Sequence, residues 1–292
     1  MPAPPEPSAP TSWPDHHVLV TGGGSGLGLA TTAHLLRRGA RVTICGRRRG
    51  RLDAAREELA PAGADRLASV PCDVRDPDAV EACVETGEAA LGPLTGLVNN
   101  AAGNFLARSE SLTPRGFDAI VRTNLYGSFH ATRAAGRRWI ERGVAGRVVS
   151  IVAVYAQSGS AFVLPSAVSK AGVSAMTRSL AVEWATFGIR LNAIAPGLVP
   201  TEGAWRRLVR APEDEARMRG DIPLGRLGDP ADLAHMVAFL LGDESAYVTG
   251  QVIALDGGAS LVTGAGFDFL HALPRDELGA SFEALRRPSR DA

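Results

Sequence analysis

The sequence predicts an α/β fold, a single domain built on a doubly wound parallel sheet of about seven strands with helices on both faces. Three observations lead there. Short β-branched runs alternate with helical patterns from His17 onward. The runs are apolar almost throughout, as parallel strands covered on both sides must be. No linker breaks the series, and 292 residues are enough to bury one large core without staples.

In chain order, strands are expected at 18–21, 41–44, 68–71, 96–99, 147–152, 190–194 and 251–255. The first helix, 26–38, puts Leu29, Ala33 and Leu36 on one face and stops at Gly39. The helix after Ser169 carries Val173, Met176, Leu180 and Trp184 at helical spacing, a stripe suited to the core or to a subunit contact. Residues 203–220 interrupt the alternation with an arginine-rich helical insertion, a common place for a lid. The domain is expected over 16–261, between a flexible proline-rich tail at 1–15 and a loosely attached extension at 262–292.

Composition narrows the function classes. The chain is 45% apolar and 21% charged, with formal net charge +0 and no basic block, which argues against a nucleic-acid partner. No apolar run approaches the roughly 20 residues that span a bilayer. The N-terminus lacks the basic start and apolar segment of a secretory signal, so a cytoplasmic protein is expected. Cys45, Cys72 and Cys83 are odd in number and lack metal-type spacing; they are expected as reduced core residues, with no metal.

Two stretches point to chemistry. Of the 31 Lys and Arg residues only Lys170 is a lysine. A composition that favours arginine so strongly keeps an amine where a compact three-donor charge is needed, beside a cofactor sugar or an acid whose pKa it lowers. The second stretch, Thr21-Gly22-Gly23-Gly24-Ser25-Gly26-Leu27-Gly28, joins a predicted strand to a predicted helix. Its glycines let the backbone approach a pyrophosphate, and the helix end supplies free amides.

That turn resembles the TGxxxGxG turn of the short-chain dehydrogenase/reductase family. Further motifs follow in the family's order: Cys72-Asp73-Val74, Asn99-Asn100-Ala101-Ala102-Gly103, Asn124, Lys170 and Pro196-Gly197. The resemblance covers about 18–258 and implies a Rossmann-like fold and, in most members, a tetramer. It also implies a cofactor site formed by Gly22, Gly24, Ser25, Gly26, Leu27 and Gly28, with Asp73 and Val74 at the adenine. Asn99, Asn100 and Ala101 then line the adenosine side, Lys170 holds the nicotinamide ribose, and Pro196, Gly197 and Val199 complete the groove. At the end of the second strand an acidic residue would bond a ribose 2′-hydroxyl, but this chain has Gly46-Arg47-Arg48-Arg49. The forked charge of Arg47 and Arg48 suits a 2′-phosphate, which makes NADP(H) the expected cofactor.

The chain departs from the family's Tyr-x-x-x-Lys pattern. Ser166 stands where the tyrosine should be, and Ala153 where the usual serine would fall. Both hydroxyls of the standard carbonyl-reduction site are therefore absent. Tyr155, just past the fifth strand, can reach the same cavity from the other wall, whereas Tyr126 and Tyr247 read as structural. A tyrosine fifteen residues before the lysine, with serine at the old tyrosine position, resembles the short-chain 2,4-dienoyl-CoA reductase branch.

The resemblance implies NADPH-dependent reduction of an acyl-CoA thioester in fatty acid β-oxidation of unsaturated chains, with Tyr155 and Asn104 donating to the thioester oxygen. Lys170, Ser166 and Asn124 would support them, and Arg75, Phe105, Thr113 and Arg207 would line the substrate. Two other readings stay open at this point: a reductase of another acyl thioester in secondary metabolism, and a catalytically silent NADP-binding protein.

Overall fold

The structure, a computed structural model, describes residues 12–201 and 212–262 together with the isolated positions 274 and 277. Seven strands alternate with helices: β1 His17–Thr21, α1 Gly26–Arg37, β2 Arg41–Gly46, α2 Arg49–Gly63, β3 Leu67–Pro71, α3 Pro77–Leu91 and β4 Gly96–Asn99. The chain continues with α4 Pro114–Val121, α5 Gly127–Arg142, β5 Arg147–Ile151, α6 Tyr155–Ser158, α7 Leu164–Glu183 and β6 Arg190–Pro196. Helices α8 Pro212–Gly220 and α9 Pro230–Leu241 precede β7 Val252–Leu255.

The strands form one parallel sheet in the order β3-β2-β1-β4-β5-β6-β7. The order reverses direction between β1 and β4, which opens a crevice at their carboxyl ends. Every residue of β1 and β5 is buried. That explains why these strands read as mainly apolar runs in the sequence.

Two cores cover the two faces. On one, Val18, Val20, Val42, Ile44, Val98 and Val149 meet Leu35 and Leu36 of α1 and Val237, Leu240 and Leu241 of α9. On the other, Leu19, Cys45, Leu97, Val148 and Leu191 meet Val80 and Val84 of α3 and Ala131, Ala135 and Trp139 of α5. Trp139 is 1% exposed, and its indole N–H donates to the Leu94 carbonyl at 2.7 Å, so its one polar atom is satisfied. The α7 stripe is core: Val173 is buried, and Met176, Leu180 and Trp184 pack against the buried clusters.

Observed strand ends lie within two residues of the expected ones. The insertion contains α8, but residues 202–211 lie outside the described residues, as do the first eleven residues and most of the C-terminal extension. Among the described residues no helix is long and apolar enough to cross a membrane.

Candidate active site

The crevice is laced together by side chains at the β1 and β4 ends. The Thr21 hydroxyl accepts from the backbone N–H groups of Asn100 and Ala101, both at 3.0 Å, and donates to the Val98 carbonyl at 3.3 Å. The Asn100 amide donates to the carbonyls of Thr21 at 2.9 Å and Gly22 at 3.4 Å. A Cβ on Gly28 would sit 2.4 Å from the Gly22 carbonyl oxygen and 2.5 Å from that amide. Only glycine lets α1 seat so tightly on the turn.

Gly22 and Gly26 have φ of +68° and +55°, the left-handed region that favours glycine. Ser25, at the N-cap of α1, makes no side-chain bond to the helix. The first-turn amides are thus left for an outside acceptor. Leu27 packs against the core behind the turn, and half-buried Gly24 faces Leu52 of α2. Arg47 and Arg48 are exposed and form no salt bridge among the described residues, and Arg47 lies close enough to Asp73 to help lower its carboxyl. Together, open helix amides and a glycine cradle fit a dinucleotide.

Asp73 and Arg75 are paired to each other. The Arg75 guanidinium donates to both carboxylate oxygens, at 2.9 Å and 3.0 Å from Nε and 2.6 Å from NH2. These bonds hold the Asp73 carboxyl below the usual range. The sequence reading sends Arg75 to substrate and Asp73 to the adenine, whereas the structure has each satisfy the other. Val74 is buried, and its carbonyl lies 3.0 Å from His130 Nδ1.

Asn99 also differs from its expected place. Its side chain is 2% exposed and donates inward to Thr132 at 2.8 Å and Ser150 at 3.2 Å, so it braces α5 against β5 instead of lining the groove. Thr113 caps α4, accepting from the Gly116 N–H at 3.1 Å, which assigns its hydroxyl to the helix end. Gly197, just past β6, lies so close to Asp256 that a Cβ there would approach its Cβ to 2.7 Å. Val199 shares a small cavity with Leu198, Ile222 and Asp256, and half-buried Pro196 ends the strand. Arg207 lies outside the described residues.

The polar centre is assembled by α6 and α7. Ser166 and Lys170 lie one turn apart on α7 and are 1% and 6% exposed. The Tyr155 hydroxyl at the start of α6 is 3.1 Å from the Ser166 hydroxyl and accepts from the Asn104 amide at 3.4 Å. Asn104 is oriented by its own oxygen, which accepts from the Phe105 N–H at 2.9 Å. Asn124, fully buried in a π turn over Arg122–Tyr126, clamps both backbone groups of Gly103 at 2.8 Å and 3.1 Å. Two asparagines therefore fix the 103–105 loop opposite Tyr155.

The Lys170 ammonium donates to the Ile151 carbonyl at 2.5 Å. Burial draws its pKa from 10.5 down to about 8.

A feature that sequence reasoning missed bounds this centre. The Ala107 N–H donates to the Phe162 carbonyl at 2.9 Å, tying the loop after β4 to the loop before α7. Leu106, Phe162 and Leu164 beside this tie are exposed. Phe162 has φ +65°, the only positive φ outside glycine among the described residues, and no residue type in its neighbourhood signals it. A left-handed non-glycine residue costs about 1–2 kcal/mol, while glycine loses roughly 0.5–1 kcal/mol more backbone entropy. Phe162→Gly is therefore expected to raise stability by about 0.5 kcal/mol in urea denaturation, because the exposed ring gives up little packing.

A glycine turn on a doubly wound parallel sheet, facing a buried lysine and a positioned phenol, defines an oxidoreductase of the dinucleotide-binding kind. A family model described as enoyl-(acyl carrier protein) reductase matches residues 22–260. An uncharacterized oxidoreductase of Caenorhabditis elegans is 43% identical over 82% of this chain and 78% of its own length. A probable 2,4-dienoyl-CoA reductase [(2E)-enoyl-CoA-producing] of Bacillus subtilis is 40% identical over 82% of this chain and 95% of its own. Among solved structures, a gluconate 5-dehydrogenase of Burkholderia cenocepacia in complex with NADP and tartrate superposes with a TM-score of 0.80 at 29% identity, covering 85% of this chain and 96% of that one. The chain belongs to the short-chain dehydrogenase/reductase family.

Proposed function

We propose that this protein is an NADPH-dependent reductase of 2,4-dienoyl-CoA thioesters. The observation that carries the reading is the Tyr155 hydroxyl set between the Asn104 amide and Ser166, in a chain where Ala153 and Ser166 replace the usual hydroxyl pair. The Bacillus relative's name and the description of the family model both concern enoyl thioesters, which agrees with it.

NADPH, when bound, supplies a hydride to the far end of the conjugated diene. The protein's task is then to stabilise the charge that collects on the thioester oxygen. Tyr155 and Asn104 present an O–H and an N–H from neighbouring points on one wall, a two-donor cradle for that oxygen. Ser166 accepts from or donates to Tyr155 and keeps the phenol aimed, and Lys170 holds the nicotinamide ribose and places a positive charge behind the pair. Asn124 supports the loop that carries Asn104. The exposed Leu106, Phe162 and Leu164 give an acyl chain an apolar rim.

Stopped-flow loss of NADPH absorbance on mixing with 2,4-hexadienoyl-CoA tests the reading. Turnover supports it. Tight NADPH binding with no turnover on this or any other thioester, carrier-protein-bound ones included, sinks it.

Arg47 and Arg48 are proposed to grip the 2′-phosphate. A charge-assisted hydrogen bond is worth about 1.5–3 kcal/mol, so the double change of Arg47 and Arg48 to alanine should raise the KM for NADPH roughly a hundredfold. KM for NADH, which lacks that phosphate, should stay within about twofold. Equal losses with both cofactors would show that the arginines only solvate the loop.

A further inference from the structure

The three cysteines come from separate elements, Cys45 on β2, Cys72 just after β3 and Cys83 on α3, yet their sulfurs all lie within 4.8 Å of one another. They are free thiols, 1%, 5% and 1% exposed, in a core lined by Leu19, Val80, Val84 and Leu97. We propose that this trio is a three-sulfur binding site for a neutral trivalent thiophile, the class to which arsenite belongs.

Ligand count and charge select that class. Three sulfurs are present with no fourth His, Asp or Glu in the group among the described residues, so a tetrahedral zinc site would be short of a ligand. A monovalent soft cation held by three thiolates would leave two negative charges inside an apolar core, a large desolvation cost without a buried counter-ion. A trivalent centre leaves none. Arsenic(III) hydroxide exchanges its three hydroxyls for three thiols: three As–O and three S–H bonds break, three As–S bonds form, and three waters leave. No atom changes oxidation state. Bonds of about 2.3 Å, as in zinc thiolates, at the roughly 95° angles of a pyramidal trivalent centre put sulfurs roughly 3.4 Å apart, so the trio needs to contract by no more than about 1.4 Å.

Cys72 is the point of entry. It is the most exposed of the three and sits on the loop between β3 and α3, where its thiol reaches the Ala79 carbonyl at 3.4 Å. Attack thus starts at Cys72 and closes through its neighbours.

The test uses the full-length reduced protein incubated with sodium arsenite and then freed of unbound arsenic by gel filtration under native conditions. The expected result is one arsenic per chain with three thiols lost to Ellman's reagent after transfer to urea. Cys83→Ala and Cys45→Ala variants that keep the native circular dichroism should retain at least about tenfold less arsenic. No retained arsenic in the wild type, a loss of only two thiols, or undiminished retention by a folded variant overturns the proposal. Should a variant fail to fold, the wild-type stoichiometry alone decides between the outcomes.

Discussion

Tyr155→Phe is expected to lower kcat on 2,4-hexadienoyl-CoA by about a hundred- to a thousandfold, the usual cost of deleting one donor to a developing oxyanion. The phenylalanine keeps the aromatic ring at the start of α6 and removes only the hydroxyl shared with Asn104 and Ser166. NADPH affinity should therefore hold within about twofold. Ser166→Ala provides the contrast: it takes away a neighbour of the phenol but not the phenol, and turnover should fall by about tenfold or less. Single-turnover kinetics on the two variants read the difference. If Ser166→Ala proves the more damaging, the oxyanion donor has been placed on the wrong residue.

Lys170→Met is expected to abolish most of the chemistry and at the same time to stabilise the fold. Drawing the amine from 10.5 to about 8 by burial means that the charged form is disfavoured inside the protein. At roughly 1.4 kcal/mol per unit this costs about 3 kcal/mol at pH 7. Methionine has a similar unbranched reach without the charge. It forfeits the bond to the Ile151 carbonyl, worth about 1–2 kcal/mol, leaving a net gain of about 1–2 kcal/mol.

The sign is checkable. Between pH 8 and 10.5 the unfolded chain binds the proton that the folded one has released, so wild-type stability rises across that window and the variant's advantage disappears. Urea titrations at pH 7 and pH 10 measure both halves. Activity should fall by at least about a hundredfold, as misplacement of a cofactor sugar does. In the wild type, kcat/KM should fall as pH rises through about 8, where Lys170 loses its charge in the free enzyme.

The strands were legible because parallel strands buried on both faces leave an apolar, β-branched trace. Their last residues were not: β2 runs to Gly46 and β6 to Pro196 because neighbouring strands bond to them, and hydropathy does not record that. Lys170 stood out by residue type. The contact between Tyr155 and Ser166 spans a loop with a left-handed Phe162, so helical spacing could not foresee it and only the family pattern joined the two.

Asn99 shows a different limit. It is the last residue of its strand, and alternation of side chains decides whether it faces the groove or the core; here it faces Thr132 and Ser150. Arg75 and Asp73 read as two free charges in a sequence, yet two residues of separation let them close on each other. The cysteines are buried as the sequence suggested, but spacing rules detect ligands that share one element, and these three come from separate ones.

Thr21 contributes one hydroxyl, and with it takes up the first two amides of the loop on the far side of the sheet's reversal point. The width of the cleft is consequently set by the protein's own stitching before any guest arrives. A visitor finds the two banks already moored at their working distance, and none of its grip is diverted into pulling them together.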